Sequence, residues 1–368
     1  MSNNEISQYK NALIEQRFDF GESKIIRLSR EINSADQYVS NYEGIIDPFI
    51  IDQSKISESK ATRRLLDKTQ VVFNPGSPHI RVRSSHTSEV SSTAKNISDI
   101  LGLNTNLVEA ISLGHDIGHA PAGHLFEKIA KEDFGVEFRH EIFSAIISVF
   151  IERHGMGLNL TKQTVDGILN HSQGSSNMLS NHLTNESKLV MYSDKIAYLF
   201  SDINDLQRID IFSSTDLAEI NSIFPVDSTY GDNQRTRVST CINALVEESS
   251  QKGFVSFEDS EVAQNFKKLK KYMYGHYNKL DSNLLKEAVR SVISSVSNID
   301  GYDPILITAL MTDSELKNIY QKIINSKRIN IDDIANFGVG EIIKKGDLKD
   351  QTYNDLTIRL NQKLSQLC

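Results

Sequence analysis

The chain has 368 residues, 39% of them hydrophobic and 24% charged, which is the balance of an ordinary globular protein long enough to bury a core without disulfide or metal staples. Its 40 Lys and Arg against 48 Asp and Glu leave a net charge of -8, which argues against a wholesale nucleic-acid binder. Cys241 and Cys368 can build neither a disulfide framework nor a Cys-x-x-Cys metal site, the longest apolar run (Ile142 to Ile151) is too short for a bilayer, and the opening MSNNEISQYK lacks a signal-peptide pattern, so a cytoplasmic location without membrane contact is expected.

Residues 1–60 are polar and helix-compatible. Two β-prone stretches follow, Gln70 to Phe73 and His79 to Arg83, joined by Asn74-Pro-Gly-Ser-Pro78; they predict a small β-hairpin with Arg81 and Arg83 on one face. A helix is predicted from His86 to Leu101, where Val90, Ala94, Ile97 and Leu101 share a face, and a second begins at Leu107 and reaches Gly114. Further helices are predicted over Glu141 to His154, Leu189 to Asp205, Lys267 to Tyr277 and Asn283 to Val296. Residues 227–236 and 300–304 read as surface loops, and the Lys- and Asp-rich C-terminal stretch as an accessory helical segment. With six prolines in all, the expected fold is mainly α.

Nine of the ten histidines lie between His79 and His182. Imidazole is a common metal ligand and proton carrier, so such crowding marks a candidate site. His86 opens the first predicted helix, His115-Asp116 sits in SLGHDIGHAPAGHLFE, and Asp194 sits in VMYSDKIAYLFSD. Two imidazoles and two carboxylates form a nitrogen and oxygen donor set without thiolate, which suits Mn²⁺, Mg²⁺, Fe²⁺, Co²⁺ or Zn²⁺. A lone His-Asp pair is more often surface chemistry. Gly114, Gly118 and Gly123 strengthen the reading, because each weakens helix propensity by about 1 kcal/mol against alanine, which makes poor structural sense unless a ligand comes close.

The ordered set His86, His115-Asp116 and Asp194 resembles the H…HD…D pattern of the HD-domain metal-dependent phosphohydrolases, and most closely the deoxynucleoside triphosphate triphosphohydrolases (dGTPase-like). The likeness is carried by RRLLDKTQVVF at 63–73, RVRSSHTSEV at 81–90, GHDIGHAPAGHLFE at 114–127 and SDKIAYLFSDIND at 193–205, with weaker matches at FRHE (138–141) and NFKKLKKYMYGHY (265–277). The resemblance implies an HD-domain helical phosphohydrolase fold with a small β-hairpin before the first metal ligand. It implies an N-terminal helical segment packed on the core (1–60), an HD catalytic core (61–226) and a C-terminal helical region (227–368) that completes the active site or an oligomer interface.

It further implies hydrolysis of a dNTP to deoxynucleoside and inorganic triphosphate by metal-activated water attack at the α-phosphorus, with one divalent ion per site, Mn²⁺ or Mg²⁺ first and Fe²⁺, Co²⁺ or Zn²⁺ open. His86, His115, Asp116 and Asp194 would ligate it. His124 and Glu127 match the catalytic dyad, and His119 and His140 match further active-site histidines. Arg83 and Lys195 match phosphate-binding residues, while Gln70, Tyr198 and Asp202 match residues that read the sugar; a tyrosine ring against C2′ disfavours ribose. Implied partners are the dNTP substrate and further copies of the chain as a dimer, tetramer or hexamer, with an allosteric nucleotide or single-stranded DNA open. The basic run Lys267, Lys268, Lys270 and Lys271 beside Phe266, Tyr272 and Tyr274 reads first as a solvated helix face and second as a nucleotide or DNA contact.

His140-Glu141 stands where the bacterial pattern often reads His-Asn, and PAGH replaces the commoner PFGH, so base preference does not transfer. The rivals are another HD phosphohydrolase, acting on a nucleoside monophosphate, cyclic nucleotide or alarmone, and a non-catalytic nucleotide- or DNA-binding protein with the same fold.

Overall fold

The structure, a computed structural model, describes residues 47–172, 184–225, 230–231, 233–280, 282–326, 328–335, 338–345 and 348–366. Most of the segment 1–60, as well as His182, Cys368 and part of the 227–236 loop, lies outside them.

Several helices begin where a short polar side chain caps them. Asp47 accepts from the Phe49 amide and sets up α1 (Pro48–Ser57), with proline in the first turn. Arg83–Leu101 forms α2, and its predicted apolar face is fully buried: Val90, Ala94, Ile97 and Leu101 all have no exposed surface. Removing each such Val, Ile or Leu side chain from water contributes roughly 1.5–3 kcal/mol. Asn104 caps α3 (Thr105–Gly114). Then come α4 (His124–Phe134), α5 (His140–Ile146), α6 (Lys162–Asn170, capped by Thr161) and the long α7 (Asn185–Arg208, capped by Thr184). Beyond a short helix at Ser214–Ile223 lie α8 (Gln234–Lys252), α9 (Glu261–Leu280), α10 (Asn283–Val296), α11 (Pro304–Ala309), α12 (Asp313–Ser326) and, last, α13 (Tyr353–Ser365).

The apolar side chains gather in two clusters. One joins α5 and α6 to the C-terminal helices α10 to α13. The other joins α2, α3 and α7 to α8 and α9. Histidines and carboxylates from both sides meet where the clusters adjoin, and that junction holds the candidate site.

Three expectations need correction. The hairpin does not form: among the described residues there is no strand, and residues 69–83 carry just one antiparallel bridge, between Thr69 and Val82. Pro75 and Pro78 bring no N–H to a ladder, and the Arg81 guanidinium turns away to Asp202, Asp205 (2.8 Å) and Glu89 (3.1 Å) on two helices. Arg81 and Arg83 therefore face different partners.

The helix expected over Glu141 to His154 is interrupted. It is α-helical to Ile146, widens to a π turn over Ile147–Ile151, and breaks at Arg153 and His154, both left-handed (φ 51° and 62°). The Ser148 hydroxyl bonds the Ser144 carbonyl and the Ser148 carbonyl takes the Leu158 amide, while Glu152 is drawn off to the amides of Lys60 and Ala61.

The glycines of the His-Asp segment serve helix packing rather than ligand approach. A Cβ on Gly118 would lie 2.1 Å from the Ser144 backbone nitrogen, and one on Gly114 would lie 2.5 Å from Ile168 Cδ1. Only Gly123, at φ 56°, is required by its backbone conformation. Among the described residues, no helix is long and apolar enough to cross a membrane.

Candidate functional site

The His-Asp pair lies just past the end of α3, in a turn, so His115 and His119 do not share a continuous helix. The turn is pinned by α5: Ser144 Oγ donates to the His115 carbonyl (2.8 Å) and accepts from the Gly118 amide (2.9 Å). His115 is fully buried, and its Nδ1 lies 2.7 Å from the Ser112 carbonyl. A carbonyl only accepts, so in the neutral ring the proton sits on Nδ1 and Nε2 presents a lone pair. That Nε2 is buried without a hydrogen-bond partner, 3.4 Å from Asp116 Oδ2 and 4.0 Å from Asp194 Oδ1.

His86 comes from the first turn of α2 and Asp194 from the middle of α7. His86 Nε2 stands 2.9 Å from Asp194 Oδ1 and 3.8 Å from Asp116 Oδ2. Four side chains from three parts of the chain thus converge, and His86, His115 and Asp194 can offer their ligand atoms to one ion. An orphaned imidazole nitrogen facing two carboxylates is an environment that a divalent cation fits. Burial opposes ionisation of both carboxylates, yet the neighbouring charges win. His115, Arg83 and His119 hold Asp116 well below the usual range, and the His86 hydrogen bond brings Asp194 down to about 2.

Arg83 is oriented from behind. Its Nε donates to the Thr69 carbonyl (3.0 Å), Nη2 to the Gln70 carbonyl (3.2 Å) and Nη1 to Asp116 Oδ2 (2.8 Å). The Gln70 side-chain oxygen is buried without a partner. Lys195, next to Asp194, is held down to about 8 by burial and by Lys270, so two lysines from α7 and α9 flank the site. Tyr198 packs its ring 6.5 Å from that of His86. Asp202 accepts from the Tyr277 hydroxyl (2.9 Å) and pairs with Arg81.

The remaining histidines form a connected group. The side chain of His124, at the start of α4, is 71% exposed, and its Nδ1 lies 3.0 Å from Glu127 Oε2. The other oxygen of Glu127 is 2.7 Å from His140 Nδ1 and accepts the His140 amide at 3.0 Å. Burial works against the Glu127 charge, but His140 and His124 hold the carboxyl far below its ordinary range; in turn, against burial, the charge and hydrogen bond of Glu127 lift His140 to about 9. His119 stacks on His140 with centroids 4.0 Å apart and lies edge-on to His124 at 5.3 Å. Its Nε2 is 3.4 Å from Asp116 Oδ1, which links the Glu127 group to the donor set.

Every singled-out histidine and carboxylate is therefore within this one cluster; Asp202 sits at its far edge. Of the lysine run, Lys270 approaches Asp194 and Lys195, whereas Lys267 is tied to Glu258 and Lys268 bonds Asn265. The sequence reading missed His171, which is 1% exposed and lies 3.3 Å from His140 Nε2. It also missed Tyr277 and the buried Lys68, which donates to the His119 and Ala309 carbonyls. The only sequence signal for His171 was its place among the crowded histidines.

This architecture is that of an HD-domain phosphohydrolase, and the HD domain family matches residues 83–199, from Arg83 to Leu199. The chain is 39% identical over 250 residues to a deoxyguanosinetriphosphate triphosphohydrolase-like protein of Clostridium tetani, covering 67% of this chain and 70% of that protein. The likeness to the protein of the same description from Clostridium perfringens strain SM101 is 36% over 256 residues, covering 68% and 74% of the two chains. A relative of that description from Caldanaerobacter subterraneus is 40% identical over 205 residues, 56% of this chain and 58% of its own length. The chain belongs to the deoxyguanosinetriphosphate triphosphohydrolase-like family.

Proposed function

We propose that the protein hydrolyses deoxynucleoside triphosphates to deoxynucleoside and inorganic triphosphate. The observation that carries this reading is the exposed His124, aligned by Glu127 and separated by one edge-on ring, that of His119, from a buried His-Asp donor set. Its Nδ1 is held by Glu127 while the ring stays largely exposed, which suits a group that transfers a proton at a bound substrate.

His86, His115, Asp116 and Asp194 would hold one divalent ion, with Mn²⁺ or Mg²⁺ the first choice for their nitrogen and oxygen donors. Such an ion supplies Lewis acidity towards the α-phosphate and lowers the pKa of water. The chain's own groups do the rest. Arg83, with its guanidinium plane fixed by two carbonyls, and Lys195 with Lys270 offset the phosphate charge. Tyr198 presents its ring to the sugar, and Asp202, steadied by Tyr277 and Arg81, accepts from a sugar hydroxyl. Water adds to the α-phosphorus, the bond to the 5′-oxygen breaks, and a proton is delivered to that oxygen.

The names of the relatives make dGTP the first substrate to try. The test is turnover of all four dNTPs, singly and mixed, with Mn²⁺ and with Mg²⁺, and chromatography of the products. Deoxynucleoside plus triphosphate supports the reading. Release of dNMP and pyrophosphate overturns the regiochemistry, and nucleotide binding without turnover in Mn²⁺ overturns the enzymatic reading.

A further inference from the structure

The turn between His119 and His124 is held from a distant part of the chain. Its Ala122 stands in the left-handed region at φ 61°, which an L side chain adopts only where its surroundings impose it, and Gly123 follows at φ 56° before α4 opens with His124. Two buried charged side chains impose it. Asp313, the first residue of α12, accepts the Ala122 amide at Oδ1 (3.0 Å). Lys68 donates to the His119 carbonyl and to the Ala309 carbonyl (3.2 Å) at the end of α11. The turn is thereby bracketed, Lys68 holding its start and Asp313 its end.

Thr69 links the bracket to Arg83. Its hydroxyl donates to Asp313 Oδ2 and its carbonyl accepts from Arg83 Nε (3.0 Å), while the Lys68 carbonyl takes the Arg83 amide (2.9 Å). Asp313, Lys68 and Thr69 are all buried. Burial lifts the Asp313 carboxyl to about 6 and lowers the Lys68 ammonium to about 7. Taking charges out of water is costly, and seating α12 on the 64–69 stretch does not require these two. Ser314 Oγ already donates to Asp67 (2.9 Å), and Arg64 pairs with Glu315 (2.5 Å). What Asp313 and Lys68 add is their hold on the turn.

We infer that Asp313 and Lys68 are positioning residues, which fix the place of His124 relative to Asp116 and Arg83 through the backbone of the turn. Asp313 does so from α12, 191 residues beyond Ala122. Released from the bracket, Ala122 can leave the left-handed region and carry the His124 ring with it, and a misplacement of about 1 Å costs about 10²-fold in rate. The inference rests on the proposed role of His124 in proton transfer.

The test uses the full Mn²⁺-loaded chain, with dGTP turnover and residue-resolved hydrogen exchange as separate readouts. Asp313→Ala should lower kcat about 10²-fold while KM changes by less than about threefold. Its Ala122 amide should exchange at least about tenfold faster, with α2 and α7 unchanged. Asp313→Asn still offers an oxygen to the Ala122 amide and should restore kcat to within about fivefold of wild type. Ser314→Ala, which loosens the same helix without touching the turn, should keep the wild-type kcat. Lys68→Met frees the other end, should lower kcat likewise, and serves if Asp313→Ala does not fold. Wild-type kcat in either bracket variant overturns the inference, as does an equal loss in Ser314→Ala, which would reduce Asp313 to helix docking. A freely exchanging Ala122 amide in the wild-type chain overturns it without any variant. If the wild type turns over no dNTP, the proposed function fails, and exchange at Ala122 alone still decides whether Asp313 holds the turn.

Discussion

The Glu127 carboxylate holds His124 and His140 at once, at 3.0 Å and 2.7 Å, one oxygen to each ring. This single side chain ties an exposed imidazole to a buried one and fixes the tautomer of both. Glu127→Gln removes the charge and turns one acceptor into a donor facing an N–H. The expected result is a fall in kcat of about 10²–10⁴-fold with a smaller change in KM. Unchanged kcat would remove the pair from the chemistry.

Tyr198 places its ring beside His86 from the same helix that carries Asp194. If the ring presses on the 2′ carbon of the sugar, Tyr198→Ala opens room for a hydroxyl. The ratio of kcat/KM for dGTP over GTP should then fall by about tenfold or more. An unchanged ratio removes Tyr198 from sugar selection.

Gly118 lies against the backbone of α5, where an added Cβ would be 2.1 Å from Ser144 N and 2.5 Å from Phe143 C. Backbone cannot swing aside as a side chain can. Gly118→Ala should therefore destabilise the fold by at least about 1–3 kcal/mol, read as a lowered urea midpoint. An unchanged midpoint would show that α5 does not pack this closely.

Glu248 on α8 gathers the loop before α9, accepting from Ser256 Oγ (2.6 Å) and from the amides of Glu258 (2.8 Å), Asp259 (3.1 Å) and Ser260 (3.1 Å). Burial opposes its ionisation, but these bonds and Lys252 bring it from an ordinary 4.5 to about 2. A depressed carboxyl pKa stabilises the fold above its unfolded value, and the contribution is lost as pH falls through the folded one. Stability should thus drop between about pH 4.5 and 2 in the native chain. In Glu248→Gln that drop should shrink, and stability at neutral pH should be lower by about 1–3 kcal/mol. Identical acid profiles for the two would contradict this role.

What could be read in advance follows from what each feature depends on. Val90, Ala94, Ile97 and Leu101 mark their helix face by spacing alone, and the structure buries all four. The His-Asp pair and its distant partners were legible because ligand chemistry restricts residue type. The hairpin was misread because β-prone residues 70–73 and 79–83 report local preference, while Arg81 is committed to α7, more than a hundred residues on. The Gly118 contact and the place of His171 depend on how α5 and α6 approach the His-Asp turn, and no periodicity encodes that approach.

The most direct measurement is hydrolysis of dGTP by the Mn²⁺-loaded chain in ¹⁸O-labelled water, with mass analysis of both products. Attack at the α-phosphorus predicts label in the triphosphate and none in the deoxyguanosine. Label in the 5′-hydroxyl of the nucleoside, or in dGMP released with pyrophosphate, would contradict the account.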